Sequence, residues 1–131
     1  MTDTTEAANL AVVRRLCEQW PSLSREQFGE LLAADCDYRN IPIPGDRHIG
    51  PDAAHKMVGG MSASWDIRCD VIHIVANGAA VLTERLEHFK HRKGEKPDVE
   101  LPVMGAFELK DGKITGWRDY FELSHAKALL G

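Results

Sequence analysis

The apolar residues of this chain change their spacing near Trp65, and this change constrains the fold more than any other feature. Before Trp65 they mostly recur at intervals of three and four residues, which is typical of amphipathic helices. After it they alternate with polar residues, which is typical of strands with one buried face. A chain of 131 residues with this order predicts a single α+β domain over residues 1–131.

Three helices are predicted in the first half of the chain. The first covers residues 5–20 and ends at Pro21. Ser24 and Gln27 have the spacing of a capping box, so a second helix begins there, with Phe28, Leu31 and Leu32 on its inner face. Pro51 suits the first turn of a third helix, whose end the pair Gly59-Gly60 weakens.

Strands are predicted mainly in the second half. An early strand covers residues 37–43, and four more cover residues 67–76, 79–91, 101–109 and 114–123. Asn77-Gly78 and Asp111-Gly112 predict tight hairpin turns in which both residues tolerate a positive φ. The last four strands therefore form an antiparallel meander, followed by a short capped helix over residues 124–130.

Composition and charge exclude several classes of protein. The net charge is −4 and basic residues do not cluster, which argues against a nucleic-acid-binding surface. No apolar stretch approaches the roughly 20 residues that a membrane-spanning helix needs, and the first six residues lack the pattern of a signal peptide. The 3 cysteines, Cys17, Cys36 and Cys69, have apolar neighbours and predict buried free thiols and a cytoplasmic location.

Polar residues stand where strands are expected to be apolar. Arg85 and Glu87 share one face of a strand, roughly 7 Å apart. Asp119 lies on one strand face between Trp117 and Phe121, where an unpaired carboxylate is expensive to bury. The early strand places Tyr38 and Asn40 on one face as well. Any one of these side chains alone is typical of a solvated strand, but the set indicates a buried polar site.

The chain resembles the limonene-1,2-epoxide hydrolase family in the segments VLTERLE (81–87), LPVMGAFEL (101–109) and DGKITGWRDYF (111–121). The resemblance implies a cone-shaped fold of the nuclear transport factor 2-like type, in which a curved mixed β-sheet wraps around three helices and encloses a deep pocket. It also implies an Asp-Arg-Asp triad and a Tyr-Asn pair that holds the attacking water. Arg85 and Asp119 match the triad, Tyr38 and Asn40 match the pair, and Glu87 stands where the family has Asp.

The implied reaction adds water to a small lipophilic epoxide without a cofactor. Asp119 is expected to act as the base and Glu87 as the acid, with Arg85 donating hydrogen bonds to both carboxylates. Six apolar side chains are expected to line the substrate pocket: Met57, Phe89, Leu101, Val103, Trp117 and Phe121. The resemblance also implies a homodimer, packed through an outer sheet face that carries Glu84, Leu86, His88, Pro102, Met104 and Ala106.

Two other functions remain open from the sequence. A related isomerase or cyclase would use Asp119 to remove a proton next to a carbonyl group, although a neighbouring guanidinium fits a paired triad better. A non-catalytic member would keep the pocket and bind a lipophilic ligand. The six histidines lack metal-ligand spacing, so no metal site is predicted. His88 and His91, which flank the polar loop of residues 92–98, are expected to be solvated.

Overall fold

The computed structural model describes residues 4–130 of the chain. It contains four α-helices, six β-strands and two short 3-10 turns, which cover Trp20–Ser22 and Leu123–Ala126. In chain order the elements are α1 (Thr4–Gln19), α2 (Arg25–Leu31), β1 (Leu32–Asn40), β2 (His48–Ile49), α3 (Gly50–Ser64), β3 (Trp65–Asn77), β4 (Ala80–His91), β5 (Val99–Lys110), β6 (Lys113–Tyr120) and α4 (Lys127–Leu130).

The six strands form one open sheet in the order β2-β1-β6-β5-β4-β3. Strands β3 to β6 are an antiparallel meander, whereas β1 runs parallel to β6. The sheet is therefore mixed, and the predicted α+β class is confirmed. Register shifts interrupt the pairing within β1, β3 and the β5–β6 ladder, and shifts of this kind bend a strand locally.

The helices cover one face of the sheet, with α1 against β3 and α3 against β1. Alternate residues of β4 and β5 point into this interface, because successive side chains of a strand face opposite ways. The largest fully buried apolar side chains are Trp117, Phe28, Phe107, Leu16, Leu32 and Ile114. This inner face carries the polar residues of the site as well.

The end of helix α2 differs from the sequence-based expectation. Strand β1 begins at Leu32 rather than at residue 37, because Leu32 is the C-cap of α2 and already has extended dihedrals, φ −105 and ψ 138. The capping box of Ser24 and Gln27 is present as predicted. Helix α3 continues through Gly59-Gly60 to Ser64, because burial of Ala54 and Val58 against the sheet outweighs the weak helix propensity of glycine.

The two predicted tight turns have different geometries. In the β3–β4 hairpin, Asn77 pairs with Ala80, so the loop residues are Gly78 and Ala79 rather than Asn77 and Gly78. Among these only Gly78 has a positive φ, 61°, as a type II′ turn requires of its first position. The β5–β6 turn matches its prediction, with φ 52° at Asp111 and 79° at Gly112.

The C-terminal segment also differs from expectation. Strand β6 ends at Tyr120 rather than at residue 123. The predicted capped helix is a 3-10 turn followed by α4, and its N-cap, Glu122, makes no side-chain capping hydrogen bond. Within residues 4–130, no helix has both the length and the apolar character needed to cross a membrane.

Two glycines of α3 differ in whether their position tolerates a Cβ atom, which gives a matched pair of stability variants. Gly50 has φ 85°, and a Cβ there would lie 2.6 Å from the Ala34 carbonyl oxygen. We expect Gly50→Ala to lower the free energy of unfolding by about 1–3 kcal/mol. Gly59 has no atom within 4 Å of the same added carbon, so Gly59→Ala should raise stability by about 0.5–1 kcal/mol. Urea denaturation checks both, and equal midpoints for the two variants would contradict the prediction.

Candidate active site

A buried guanidinium lies at the centre of the polar residues on the inner face. The Arg85 side chain is 0% exposed, and its Nη2 donates to Asp119 Oδ1 at 2.6 Å. Its Nη1 donates to the Cys17 Sγ of helix α1 at 3.3 Å. Burial lowers the pKa of Arg85, but Asp119 and Glu87 outweigh it and hold the pKa above its usual range. Arg85 is therefore a fixed positive charge that joins α1 to the sheet.

Gly105 makes the contact between Arg85 and Asp119 possible. These residues lie on β4 and β6, roughly 10 Å apart at the backbone, with β5 between them. Gly105 is the β5 partner of both Thr83 and Asp119. A Cβ at Gly105 would lie 2.7 Å from Thr83 Oγ1 and 3.1 Å from Asp119 Oδ1. The missing side chain leaves room for Asp119 Oδ1, the oxygen that Arg85 binds.

Glu87 is the second carboxylate beside Arg85. Its Oε2 lies 3.6 Å from Arg85 Nη2, which is an ion pair but too long for a hydrogen bond. The expectation that Arg85 donates to both carboxylates is therefore correct for Asp119 and wrong for Glu87. Both carboxylates approach the same nitrogen, and the nearer one receives its hydrogen bond.

The two carboxylates differ in how well their charge is stabilised. Burial raises the pKa of Glu87 to about 7, although Arg85 and a side-chain hydrogen bond from Trp20 oppose the shift. Burial also raises the pKa of Asp119, but its Oδ1 accepts hydrogen bonds from Arg85 and from the Trp117 indole at 3.1 Å, and both favour the ionised form. The first proton taken up by the pair therefore belongs on Glu87.

Tyr38 and Asn40 reach Asp119 through the parallel pairing of β1 with β6. Tyr38 is paired with Trp117 and Asn40 with Asp119. The Tyr38 and Trp117 rings stack 3.7 Å apart at 13°. Asn40 Nδ2 lies 3.3 Å from the Tyr38 hydroxyl. Burial raises the pKa of Tyr38 well above its ordinary value, so its hydroxyl stays neutral.

A cavity of about 380 Å³ opens between these strands, α3 and the C-terminal segment. Its wall includes four polar residues of the site: Tyr38, Asn40, Glu87 and Asp119. Arg85 does not line the cavity. All six residues expected to form the pocket line the cavity: Met57, Phe89, Leu101, Val103, Trp117 and Phe121. A polar group of four side chains thus faces an apolar enclosure that suits a small organic ligand.

Several cavity residues were missed by the sequence analysis. Trp20 was assigned only to the apolar face of its helix, and the C-terminal residues Ala126, Leu129 and Leu130 carried no signal for a site. His91 was expected to be solvated, but it is half-buried, contacts Trp65 edge-on at 4.9 Å and lines the cavity. His88 is also half-buried, 2.9 Å from Asp70 Oδ2 on the outer face.

Asp46 is the missed residue with the most contacts inside the site. It follows Pro44-Gly45, a pattern that predicts only a turn. Its Oδ2 accepts hydrogen bonds from the Asn40 backbone N–H at 2.9 Å and from Asn40 Nδ2 at 3.1 Å. In the described part of the chain, no three His, Cys, Asp or Glu side chains are grouped as metal ligands would be.

Comparison with known proteins identifies relatives that share this arrangement of elements. The chain is 33% identical over 105 residues, 78% of its own length, to the epoxide hydrolase EphG of Mycobacterium tuberculosis (strain ATCC 25618 / H37Rv), of which it covers 67%. A solved structure of a limonene-type epoxide hydrolase from M. tuberculosis superposes with a TM-score of 0.78 at 28% identity, covering 96% of this chain and 92% of that one.

More distant structures share the fold alone. A nuclear transport factor 2-like protein of unknown function from Burkholderia pseudomallei K96243 has a TM-score of 0.78 at 14% identity, covering 95% of this chain and 98% of that one. The model of the limonene-1,2-epoxide hydrolase catalytic domain matches residues 7–128. The chain therefore belongs to the limonene-1,2-epoxide hydrolase family.

Proposed function

We propose that this protein adds water to a small lipophilic epoxide, of the limonene-1,2-epoxide kind, to give a vicinal diol. Asp119 is the general base, Glu87 the general acid, and Arg85 the charge that holds both. Tyr38 and Asn40 position the water beside Asp119. The observation that carries the proposal is a pair of buried carboxylates on one guanidinium, with Asp119 Oδ1 2.6 Å and Glu87 Oε2 3.6 Å from the same Arg85 nitrogen.

The reaction proceeds in one step without a covalent intermediate. Asp119 takes a proton from water as the water oxygen bonds to one epoxide carbon. The bond from that carbon to the ring oxygen breaks, and Glu87 donates its proton to the released oxygen. Asp119 then carries the proton taken from water, and Glu87 has given its own proton to the diol. Transfer of one proton from Asp119 to Glu87 restores the starting state. The apolar wall of the cavity near the epoxide includes Phe89, Leu101 and Val103.

The site favours this reaction over the two alternatives. A base that removes a proton next to a carbonyl needs room to move, but Asp119 is held through Oδ1 by both Arg85 and Trp117. A protein that only binds an apolar ligand gains nothing from an internal ion pair, since burying charges costs several kcal/mol per ion. Arg85, Glu87 and Asp119 are all buried beside the cavity rather than directed to solvent.

Removal of either proton-transfer group tests the assignment. We expect Asp119→Asn and Glu87→Gln each to lower kcat/KM by about 10²–10⁴-fold, which is about 3–5 kcal/mol. The first variant leaves water without a base, and the second leaves the epoxide oxygen without a strong acid. The measurement is steady-state hydrolysis of limonene-1,2-epoxide, or of the best substrate from a screen of terpene, styrene, steroid and fatty epoxides.

Glu84→Gln is the matched control, because Glu84 lies on the same strand but faces outward and is exposed. Its turnover should equal that of the unmodified protein. Glu87→Asp should also lower activity, since a carboxyl one methylene shorter would lie even farther from Arg85 than the present 3.6 Å. Near-normal turnover by Asp119→Asn would remove the assigned base and refute the mechanism.

The proton on Glu87 predicts a pH dependence with a defined sign. We expect kcat/KM to fall as pH rises through about 7, the value to which burial raises the pKa of Glu87, because the acid must be protonated to act. A carboxyl with a raised folded-state pKa stabilises the fold most below its ordinary value of 4.5, and that contribution is lost as pH rises toward 7.

The unfolding free energy of the unmodified protein, relative to Glu87→Gln, should therefore decrease between these two pH values. Chemical denaturation at several pH values measures it. A difference that is flat or rises with pH would contradict the protonation assigned to Glu87.

We also propose that the protein forms a homodimer through the outer face of the sheet. Exposed apolar side chains on this face include Leu82, 50% exposed, Met104, 52%, and Tyr120, 43%. Tyr120 and Met104 are paired across β6 and β5, so the apolar surface is continuous between strands. A self-complementary contact of this kind buries over about 1,000 Å² in a stable dimer. Cys17, Cys36 and Cys69 are buried free thiols, as predicted, whereas a cytoplasmic location stays a prediction.

Light scattering at micromolar concentration should return twice the mass of one chain. Met104→Glu should return the mass of one chain, because it places a charge in the centre of the interface. Lys56→Glu, on the exposed face of α3, is the control and should remain dimeric. A single-chain mass for the unmodified protein would refute the proposed dimer.

A further inference from the structure

The side chain amide of Asn40 has two possible orientations, and only one of them is useful for catalysis. An amide presents an acceptor oxygen on one side and a donor nitrogen on the other. To hold a water whose proton passes to Asp119, Asn40 needs its Oδ1 available as an acceptor. The neighbouring Tyr38 hydroxyl does not decide the orientation, because it can donate or accept and lies 3.5 Å from Oδ1 and 3.3 Å from Nδ2.

Asp46 decides it. Its Oδ2 lies 3.1 Å from Asn40 Nδ2 and 2.9 Å from the Asn40 backbone nitrogen. An ionised carboxylate has acceptors only, so the reversed amide would place its oxygen against another acceptor. A hydrogen bond to a charged acceptor is also roughly twice as strong as a neutral one. The orientation with Nδ2 toward Asp46 is therefore strongly favoured.

The surrounding loop holds Asp46 in place. The loop between β1 and β2 is anchored to β6 by a hydrogen bond from the Ile41 N–H to the Asp119 carbonyl oxygen, 2.9 Å. His48, at the end of the loop, has its Nε2 3.0 Å from Asp46 Oδ1. Since the carboxylate only accepts, His48 must donate from Nε2. Both Asp46 oxygens are thus engaged, and the Asp46 side chain is only 16% exposed.

We propose that Asp46 is a positioning residue for epoxide hydration, which fixes the Asn40 amide so that Oδ1 accepts a hydrogen bond from the attacking water. His48 supports it by donating to the other carboxylate oxygen. The inference rests on the proposed function, because it assigns Asn40 the task of holding water. Asp46 acts only through Asn40, and this dependence separates it from a residue that merely stabilises the loop.

A double-mutant cycle tests that dependence. We expect Asp46→Asn to lower kcat about tenfold or more with KM little changed, since a small misplacement of a positioned group is costly. In an Asn40→Ala background the same change should have almost no further effect on kcat, because its target is gone. Arg47→Gln is the control, because Arg47 lies in the same loop as Asp46. This change breaks the exposed ion pair of Arg47 with Asp37 of β1 and should leave kcat unchanged.

Equal effects of Asp46→Asn in both backgrounds would overturn the inference, and so would an unchanged kcat for Asp46→Asn alone.

A second measurement needs neither turnover nor a folded Asp46 variant. The side-chain amide protons of Asn40, identified in NMR spectra by their loss in Asn40→Ala, should exchange slowly with solvent in the unmodified protein. Fast exchange would overturn the inference. If the unmodified protein hydrolyses no epoxide while exchange is slow, the proposed function fails and the positioning by Asp46 stands.

Discussion

The ion pair between Arg85 and Asp119 is the interaction on which the rest of the site depends. A charge buried to this degree costs several kcal/mol unless it is paired and hydrogen-bonded. The structure meets this need from three directions: Asp119 across the sheet, Glu87 along the strand, and Cys17 from helix α1. Gly105 leaves the space that Asp119 Oδ1 occupies. The inner face of the sheet is therefore built around a charge rather than around apolar packing alone.

This pairing also produces the difference between the two carboxylates. One guanidinium cannot fully compensate two buried negative charges, so burial favours a proton on one of them. Asp119 receives hydrogen bonds from Arg85 and Trp117, whereas Glu87 lies 3.6 Å from Arg85 and its pKa rises to about 7. A single buried cluster thus holds two carboxylates in different environments, as the proposed acid and base require. The longer Glu in place of the Asp implied by the family resemblance is accommodated as the weaker partner of Arg85.

The water-holding side of the site has a separate structural origin. It depends on the one parallel pairing described in the sheet, β1 with β6, which places Tyr38 and Asn40 beside Trp117 and Asp119. The ring stack of Tyr38 on Trp117 maintains this register. The loop that follows β1 then returns to β2, which brings Asp46 back onto Asn40. Glu87, Asp119, Tyr38 and Asn40 therefore meet where the antiparallel meander joins a parallel strand.

The sequence by itself determined the α+β class, the three helices of the first half, five of the six strands and the β5–β6 turn, because periodicity and turn chemistry are local properties. The family pattern named Arg85, Glu87, Asp119, Tyr38 and Asn40 as candidate site residues, but the short strand β2 carried no signal. Only the tertiary structure decided which carboxylate receives the hydrogen bond of Arg85, since that depends on differences of about one ångström across three strands. It also decided that Asp46, whose sequence pattern predicts only a turn, accepts hydrogen bonds from Asn40. Contacts between distant segments follow from strand order and register, which no local pattern in the sequence encodes.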